Sequence, residues 1–317
     1  MELKTNSYAT KDILSEITDG LSGFPKTLPY KLFYNNEGSD LFDQICNLKE
    51  YYLTRKEMEI MTGNIKEIAD LLGEDITLIE LGSGNSRKTR LLFDNLSGIK
   101  TYIPVDISDE YLHDSVASIK KDYPSLNVIP KCHDYTADLK LQIQEDLQQG
   151  RRIVFFPGST IGNFTPFEAR DFLFNLLNII GSSGGILIGV DLKKKKELLQ
   201  MAYNDNKGIT AKFNLNILKR LNDEFCADFN LENFRHKALY NETEGRIEMY
   251  LISLTDQSVK LCNSTFSFKK NEKILTEYSY KYNVDEFKEL LKDKLRLKRA
   301  WIDNEKMFSV QYFEPVK

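Results

Sequence analysis

The segment Leu78-Ile79-Glu80-Leu81-Gly82-Ser83-Gly84-Asn85-Ser86-Arg87-Lys88-Thr89-Arg90 decides the fold of this 317-residue chain. The apolar run from Thr77 to Leu81 predicts a buried strand, and a helix opens at Lys88. Between them, Gly82 and Gly84 let the backbone turn tightly and approach a ligand without a Cβ in the way. A strand, a glycine turn and a helix in this order predict the first unit of a nucleotide-type α/β fold.

The spacing of the glycines narrows the class of ligand. The third glycine of the dinucleotide fingerprint is absent, and so is the Gly-Lys pair of a P-loop. The remaining common ligand of such a turn is S-adenosylmethionine, which carries no phosphate and needs acidic partners for its amine and hydroxyls. Glu80, inside the apolar strand, is a candidate partner for the ligand ammonium. Taken alone, this short motif is equally compatible with an ordinary turn between a strand and a helix.

Polar residues follow the next three predicted strands. The strand from Thr101 to Asp106 ends in an acid that is placed to accept hydrogen bonds from a ribose. The strand from Asn127 to Pro130 leads to Asp134, a candidate acceptor for an adenine amino group, and to Tyr135, which can pack beside the ring. A fourth strand, Arg152 to Phe156, runs into Pro157-Gly158-Ser159-Thr160-Ile161-Gly162-Asn163-Phe164. A single Asp is more often a cap, but together these positions predict one ligand-binding edge of a parallel sheet.

Composition excludes several classes of protein. A net charge of −4, from 43 basic and 47 acidic residues, argues against a protein that binds nucleic acid by neutralising phosphates. No apolar run is long enough to span a bilayer, and Met1-Glu2-Leu3-Lys4 lacks the apolar core of a signal peptide. We therefore expect a cytoplasmic monomer that acts on a small molecule. The dispersed cysteines and histidines predict neither disulfides nor a metal site; they are Cys46, Cys132, Cys226, Cys262, His113, His133 and His236.

The N-terminal arm is rich in aromatic residues. Helical periodicity runs from Lys11 to Leu21, Ser39 is the predicted N-cap of a second helix, and Thr54 is the predicted N-cap of a third helix from Lys56 to Leu72. Some of the aromatic rings must dock the arm onto the core. The tyrosines among them could also line a small polar pocket, because each offers both an apolar face and a hydroxyl.

Alternation of strands and helices continues after the fourth strand and is then interrupted. A helix from Phe167 to Ile180 and a strand from Ile186 to Leu192 precede the lysine run Lys193 to Lys196, which we interpret as a solvated turn. Between residues 197 and 271 two helices come before strand-like stretches, a pattern that predicts an inserted substrate-binding module. The predicted elements of this module are Glu197 to Tyr203, Thr210 to Asn222, Ile247 to Leu254 and Val259 to Phe268.

The C-terminal part completes the predicted sheet. It contains a strand from Thr276 to Tyr282, a helix from Val284 to Leu291, and a hairpin of Leu295 to Asp303 with Phe308 to Phe313. A parallel sheet that closes in an antiparallel hairpin is typical of S-adenosylmethionine-dependent methyltransferases. We predict an α/β fold with a Rossmann-like class I methyltransferase sheet, plus an inserted α+β domain. The predicted division is an arm at 1–60, the methyltransferase domain at 61–195 and 283–317, and the substrate-binding domain at 196–282.

A set of motifs spread from about residue 30 to about residue 282 resembles the histidine Nα-methyltransferase family of ergothioneine biosynthesis. These motifs are Phe33-Tyr34, Gly38-Ser39-Asp40-Leu41-Phe42, Glu50-Tyr51-Tyr52-x-Thr54-Arg55, Glu80-Leu81-Gly82-Ser83-Gly84, Gly158-Ser159-Thr160-Ile161-Gly162-Asn163, Ala202-Tyr203-Asn204-Asp205, Arg246-Ile247-Glu248-Met249 and Thr276-Glu277-x-Ser279. The wider family also includes fungal enzymes that methylate a prenylated tryptophan. The resemblance implies transfer of three methyl groups from S-adenosylmethionine to the α-amino group of L-histidine, which gives hercynine.

The resemblance also implies roles for individual residues. The residues expected around the methyl donor are Gly82, Lys88, Asp106, Asp134, Tyr135 and Gly158. The residues expected to hold the amino acid are Asn163 and Tyr203 at its carboxylate and ammonium, Tyr34 and Tyr51 near the amine, Thr210 and Phe213 alongside, and Met249, Glu277 and Ser279 around the imidazole. Among these, the resemblance implies that Asn163, Tyr51 and Tyr34 lie closest to the chemistry.

The chain departs from the family pattern at two positions. Leu53 stands where a proline usually follows the paired tyrosines, which could shift the loop that carries Tyr51. Tyr280 stands where a small residue often follows Ser279, and alternation in a strand places it on the opposite face from Ser279.

The same alternation gives an independent reason to consider a polar ring as substrate. Glu277, Ser279 and Lys281 share one face of the predicted strand, so a carboxylate and a hydroxyl lie two residues apart, which suits a flat ring with two nitrogens. Without the other motifs, an exposed polar face on an edge strand would explain these residues equally well. Two other functions remain open at this point: methylation of another amino acid, such as a tryptophan derivative, and a nucleotide-binding regulatory module without turnover.

Overall fold

The structure is a computed structural model that describes residues 7–84, 86–137, 139–147 and 150–316. The first four residues, on which the prediction about a signal peptide rests, lie outside the described residues, as does Asn85 of the glycine turn. No helix in the described part of the chain has both the length and the apolar character needed to cross a membrane.

The predicted helix from Phe167 to Ile180 is interrupted at Leu176, but each helix that the sequence predicts overlaps one or more of the observed helices. They are α1 (Ser7–Ser22), α2 (Asn36–Cys46), α3 (Tyr52–Gly63), α4 (Ile65–Leu72), α5 (Arg87–Asn95), α6 (Asp109–Asp122), α7 (Leu139–Ile143), α8 (Pro166–Asn175), α9 (Leu177–Ile180), α10 (Lys196–Ala202), α11 (Ile209–Phe225) and α12 (Val284–Leu291).

The strands form three sheets. They are β1 (Lys26–Thr27), β2 (Ile76–Leu81), β3 (Ile99–Asp106), β4 (Asn127–Val128), β5 (Lys131–Cys132), β6 (Arg151–Phe156), β7 (Gly185–Asp191), β8 (Phe234–Asn241), β9 (Arg246–Ser253), β10 (Gln257–Leu261), β11 (Ser264–Phe268), β12 (Lys273–Tyr280), β13 (Leu295–Ile302) and β14 (Phe308–Pro315).

The largest sheet has the strand order β13-β14-β7-β6-β2-β3-β4, and β5 also pairs with β3. Its inner strands are parallel, whereas β14 runs antiparallel to both β7 and β13. Every residue of β2 and of β7 is buried, as expected for parallel strands covered by helices on both faces. The predicted parallel sheet with a terminal antiparallel hairpin is confirmed.

The chain divides into two compact units. The sheet unit contains Tyr52–Lys194 and the chain from Tyr280 onward, and the N-terminal unit contains the chain up to Tyr51 together with Lys195–Ser279. The N-terminal unit holds the sheet β1-β12-β9-β8, the hairpin of β10 with β11, and α11. These boundaries differ from the predicted division, because residues 52–60 of the predicted arm and residues 280–282 of the predicted substrate domain belong to the sheet unit.

Two of the predicted helix caps are wrong. Ser39 lies inside α2, which begins three residues earlier because the Asn35 side chain accepts a hydrogen bond from the Gly38 N–H. Thr54 lies inside α3, which begins at Tyr52. The predicted helix from Lys56 to Leu72 is also two helices, separated at Asn64.

Candidate active site

The glycine turn after β2 has the backbone that the sequence predicts. Gly82 and Gly84 have φ angles of +70° and +48°, in the left-handed region that favours glycine. A Cβ atom built on Gly82 would lie 3.8 Å from the ring of Tyr135. Because this distance is an ordinary van der Waals contact, Gly82 brings the turn close to the Tyr135 ring.

Asp106, at the end of β3, braces this turn. Its carboxylate accepts hydrogen bonds from the N–H of Gly84 and from the N–H of Ser108, both at 3.0 Å. Burial raises the pKa of the Asp106 carboxyl from its ordinary value, although these N–H groups oppose the shift. Each carboxylate oxygen can accept more than one hydrogen bond, so Asp106 retains capacity for the ribose hydroxyls that the sequence assigns to it.

Two serine hydroxyls next to Asp106 and the glycine turn are buried without a hydrogen-bond partner in the described part of the chain. They are Ser83 Oγ, within the turn, and Ser108 Oγ, which follows β3. Buried polar atoms nearly always have a partner, so such atoms are expected where a polar ligand completes the site. The open glycine turn, the acid and these hydroxyls fit a nucleoside-containing ligand such as S-adenosylmethionine.

Asp134 and Tyr135 follow β5 at the same edge of the sheet. Asp134 Oδ1 accepts hydrogen bonds from the N–H of Thr136 at 2.9 Å and from its hydroxyl at 2.6 Å. The Tyr135 ring meets Phe156 edge-on, with a centroid separation of 5.6 Å, and also packs against Phe172 at 6.0 Å. These contacts fix the ring beside Gly82, and the predicted role of Asp134 toward the adenine stays a prediction.

Lys88 and Gly158 meet at a carboxylate that the sequence analysis missed. Glu57, on α3, has no exposed surface and lies with its Oε2 atom 2.5 Å from the Lys88 ammonium. The Gly158 N–H donates to the two oxygens of the same carboxylate, at 2.9 and 3.0 Å. One signal was available in the sequence: Glu57 falls on the stripe that also carries Leu53 and Ile60, both buried, and a charge on such a stripe is unusual.

Asn163 belongs to the sheet unit and ends a short 3-10 helix, Thr160–Asn163, that follows the loop after β6. Ser159, at the start of this helix, has a φ angle of +60°, and its hydroxyl accepts a hydrogen bond from the Asp191 N–H at 2.9 Å. The Asn163 side chain is half-buried and is not hydrogen-bonded within the described part of the chain. Its amide can therefore both donate to and accept from a ligand.

The aromatic residues of the arm form a cluster within the N-terminal unit. Phe213 on α11 stacks on Phe33 with a centroid distance of 4.5 Å, and Tyr34 and Phe42 each lie 5.9 Å from Phe213. Tyr51 meets Phe42 edge-on at 6.2 Å. The phenylalanines therefore dock the arm onto α11, as one interpretation predicts, and the polar pocket lined by Tyr34 and Tyr51 stays a prediction.

Tyr203 connects this cluster to the strand predicted to face the imidazole. Its ring lies 6.1 Å from that of Tyr51, and its hydroxyl shares a hydrogen bond of 2.9 Å with the Ser279 hydroxyl. Burial raises the pKa of the Tyr51 hydroxyl well above its ordinary value, and Tyr203, Tyr34 and Glu277 are among the groups that add to this effect. Tyr51 therefore stays a neutral phenol at physiological pH.

The remaining predicted substrate residues lie on α11, β9 and β12. Thr210 is buried near the start of α11, where its N–H donates to Asp205 at 2.7 Å. Met249 on β9 is 1% exposed. The Thr276 hydroxyl donates to Asn214 on α11 at 2.8 Å, whereas Ser279 contacts Tyr203. All eight residues assigned to the amino acid other than Asn163 belong to the N-terminal unit; they are Tyr34, Tyr51, Tyr203, Thr210, Phe213, Met249, Glu277 and Ser279.

The two departures from the family pattern are accommodated locally. Leu53 is the second residue of α3 and is buried, and proline is also tolerated in the first turn of a helix, so either residue is compatible with this helix. Tyr280 stacks on Tyr282, with ring centroids 6.4 Å apart.

The lysine run that follows β7 is not a solvated turn throughout. Lys194 is buried, with its ammonium 2.5 Å from Asp191 and 2.6 Å from the Tyr52 hydroxyl. Lys281, which is fully buried, reaches the same carboxylate at 2.8 Å. Burial alone would raise the pKa of the Asp191 carboxyl, but Lys194 and Lys281 hold it below its ordinary value. The prediction was wrong here because a buried carboxylate compensates the desolvation of both lysines.

Glu80 occupies the interior of the sheet. It is 1% exposed, and the Tyr102 hydroxyl on the neighbouring strand β3 donates to its carboxylate. Burial raises the pKa of Glu80 to about 7. The carboxyl is thus held by a residue of the protein, and its predicted contact with the ligand ammonium stays a prediction.

Comparison with known proteins relates this chain to histidine-specific methyltransferases. Residues 13–315 match the profile of the histidine-specific, S-adenosylmethionine-dependent methyltransferases. A histidine N-alpha-methyltransferase of Mycolicibacterium smegmatis is 39% identical over 315 residues, which is 96% of each chain. Ergothioneine biosynthesis protein 1 of Schizosaccharomyces pombe is 32% identical over 83% of this chain and 35% of its own length. A solved candidate methyltransferase from Thermobifida fusca shares the fold, with a TM-score of 0.51 and 9% identity over 94% of this chain and 98% of its own.

The sheet order with one antiparallel strand at β14, together with the open glycine turn and the acid after the second strand, defines a class I S-adenosylmethionine-dependent methyltransferase. Within that class, the chain belongs to the family of histidine-specific methyltransferases.

Proposed function

We propose that this enzyme transfers three methyl groups in turn to the α-amino group of L-histidine and so forms hercynine, the first step of ergothioneine biosynthesis, in the cytoplasm. The observation that carries the proposal is the polar aromatic cluster of the N-terminal unit. In it the Tyr203 hydroxyl lies 2.9 Å from the Ser279 hydroxyl, and the Tyr51 ring lies 6.1 Å from the Tyr203 ring. Glu277 precedes Ser279 by two residues on β12. Phenols, a hydroxyl and a carboxylate together suit an amino acid with a flat, polar side chain.

The residues assigned to the methyl donor all belong to the sheet unit. S-adenosylmethionine, when bound, supplies an electrophilic methyl group on a sulfonium. We assign Asp106 to the ribose, Asp134 and Tyr135 to the adenine, and Lys88 to the carboxylate end of the donor. Gly82 and Gly158 leave space for close approach of the backbone.

The residues of the amino-acid site act mainly by alignment. An α-amine has an ordinary pKa of about 8, so a useful fraction is neutral and nucleophilic at physiological pH without a strong protein base. Tyr51, kept neutral by burial, fits a positioning role and cannot serve as a charged base. Tyrosine faces also tolerate the growing positive charge on the amine through cation–π contact, which matters because the product is a permanent cation.

Selection among amino acids must come from contacts with the side chain. Asn163 and Tyr203 are assigned to groups that histidine, tryptophan and tyrosine share. Glu277 and Ser279 offer an acceptor and a hydroxyl for the two ring nitrogens of imidazole. A site built to hydrogen-bond a substrate rejects analogues that leave its polar groups unpaired by large factors. An indole would leave Glu277 without a second ring nitrogen to bind.

We therefore expect wild-type kcat/KM for L-histidine to exceed that for L-tryptophan by at least about 1,000-fold. Glu277→Ala combined with Ser279→Ala should reduce this ratio by at least tenfold, mainly by raising the KM for histidine. The measurement is initial rates with labelled methyl donor and both amino acids, for wild type and double variant. A matched control is Glu242→Ala with Ser258→Ala, since both side chains are exposed in the same unit.

A wild-type preference for tryptophan would support the alternative, a methyltransferase of the same family acting on a tryptophan derivative. A histidine preference that survives the double substitution unchanged would mean that other residues recognise the imidazole.

A further inference from the structure

We propose that Glu57 is a positioning residue for the methyl donor, which acts by fixing the Lys88 ammonium at the edge of the sheet. The proposal rests on the proposed function, because it assumes that this edge binds S-adenosylmethionine. It starts from geometry: one carboxylate lies 2.5 Å from the Lys88 ammonium and within 3.0 Å of the Gly158 N–H.

The fold is built to hold this carboxylate. A Cβ atom on Gly189, in the middle of β7, would lie 2.2 Å from Glu57 Oε1, so a larger residue at this position would displace the carboxylate from its present place. Glycine inside a strand is otherwise unfavourable. A carboxylate without any exposed surface is also costly unless it is paired. The chain therefore combines a glycine inside a strand with a buried carboxylate that Lys88 and Gly158 compensate, which indicates a specific role for Glu57.

The exposed side of the pair indicates what that role is. Lys88 has 18% of its side chain exposed, whereas Glu57 has none, so only the lysine of this pair has surface that a ligand can reach. Glu57 itself is out of reach of a ligand and can act only through its partners. Immobilising a mobile lysine when a ligand binds costs free energy. Because Glu57 already holds Lys88 in place, that cost does not reduce the affinity for the ligand.

The position of the pair predicts which half of the donor it serves. The nucleoside half is assigned to Asp106, Asp134 and Tyr135 at the ends of β3 and β5. The Lys88 ammonium is complementary to a carboxylate, and the donor carries its carboxylate in its amino-acid half. Glu57 should therefore affect ligands that contain the amino-acid half and leave ligands that lack it unaffected.

The test compares S-adenosylhomocysteine, which has the amino-acid half, with methylthioadenosine, which lacks it. In Glu57→Gln we expect the Kd of S-adenosylhomocysteine to rise about tenfold and that of methylthioadenosine to change less than threefold, by calorimetric titration. Glu59→Gln, an exposed glutamate two residues along the same helix, is the matched control and should leave both values unchanged. Glu57→Asp shortens the side chain by one methylene and should also weaken binding of S-adenosylhomocysteine but not of methylthioadenosine. It is used in place of Glu57→Gln if Glu57→Gln does not fold.

A double-mutant cycle separates a positioning role from general support of the fold. If Glu57 acts through Lys88, Glu57→Gln should change the S-adenosylhomocysteine affinity of Lys88→Met by less than threefold. Equal weakening of both ligands, additive effects with Lys88→Met, or wild-type affinity in a folded Glu57→Gln would each overturn the proposal. If the wild-type protein binds neither ligand, the proposed function fails together with the role of Glu57. If the wild-type protein binds both ligands and any of the three results above is found, only the role of Glu57 fails.

Discussion

Asp106→Ala is expected to weaken binding of S-adenosylhomocysteine at least about 100-fold. The substitution removes the acceptor assigned to two ribose hydroxyls, at roughly 1–3 kcal/mol for each hydrogen bond in a buried site. It also removes the carboxylate that accepts hydrogen bonds from the Gly84 and Ser108 N–H groups, so the glycine turn loses the contacts that stabilise it. The measurement is calorimetric titration of the folded variant.

Two further variants make this result specific. Asp106→Asn keeps one acceptor oxygen and should fall between wild type and Asp106→Ala. Asp94→Ala removes an exposed carboxylate that accepts from Tyr123 at the end of α5 away from the glycine turn, and it should bind the ligand as wild type does. Wild-type affinity in a folded Asp106→Ala would remove Asp106 from the donor site.

The second large effect concerns turnover. Asn163→Ala should lower kcat/KM for histidine at least about 100-fold, because loss of one aligning contact that misplaces the amine by about 1 Å has a cost of this size. The affinity for S-adenosylhomocysteine should change less than threefold, since the Asn163 amide is assigned to the amino acid. Steady-state rates and calorimetry on the same preparation separate the two effects.

Asn175→Ala, an exposed asparagine at the end of α8, provides the matched control and should have wild-type kinetics. The assignment of Asn163 fails if Asn163→Ala loses donor affinity while it keeps normal turnover at saturating donor.

The sheet could be predicted because it depends on local signals. Buried parallel strands give short apolar runs, and the residues that follow them necessarily gather at one edge. Gly82 and Gly84 were identifiable because a left-handed backbone favours glycine. The amino-acid residues, in contrast, came from the resemblance to a family, since periodicity cannot reveal that Tyr203 meets Ser279 across 76 positions of the chain.

The charged residues whose burial was not predicted from the sequence have a common physical explanation. Glu57, Asp191 and Lys194 carry charges, and charged side chains are almost never fully buried unless they are paired. Glu57 pairs with Lys88 on another helix, and Tyr52 reaches Asp191 across 139 positions, so these pairings leave no local pattern. Lys194 pairs with Asp191 only three residues away, but its burial also depends on Tyr52. Strand β8 was missed for a related reason, because only Phe234 and Ala238 of its eight residues are buried, which leaves little alternation to detect.

The central claim is tested most directly by the product that the purified protein makes from L-histidine. The protein is incubated with L-histidine and S-adenosylmethionine labelled in its methyl group, and the product is analysed by mass spectrometry and NMR. The account predicts a product with three labelled methyl groups, all on the α-nitrogen, and an unmodified imidazole ring. Label on a ring nitrogen, a product that stops at one methyl group, or no labelled histidine while a tryptophan derivative is methylated would contradict it.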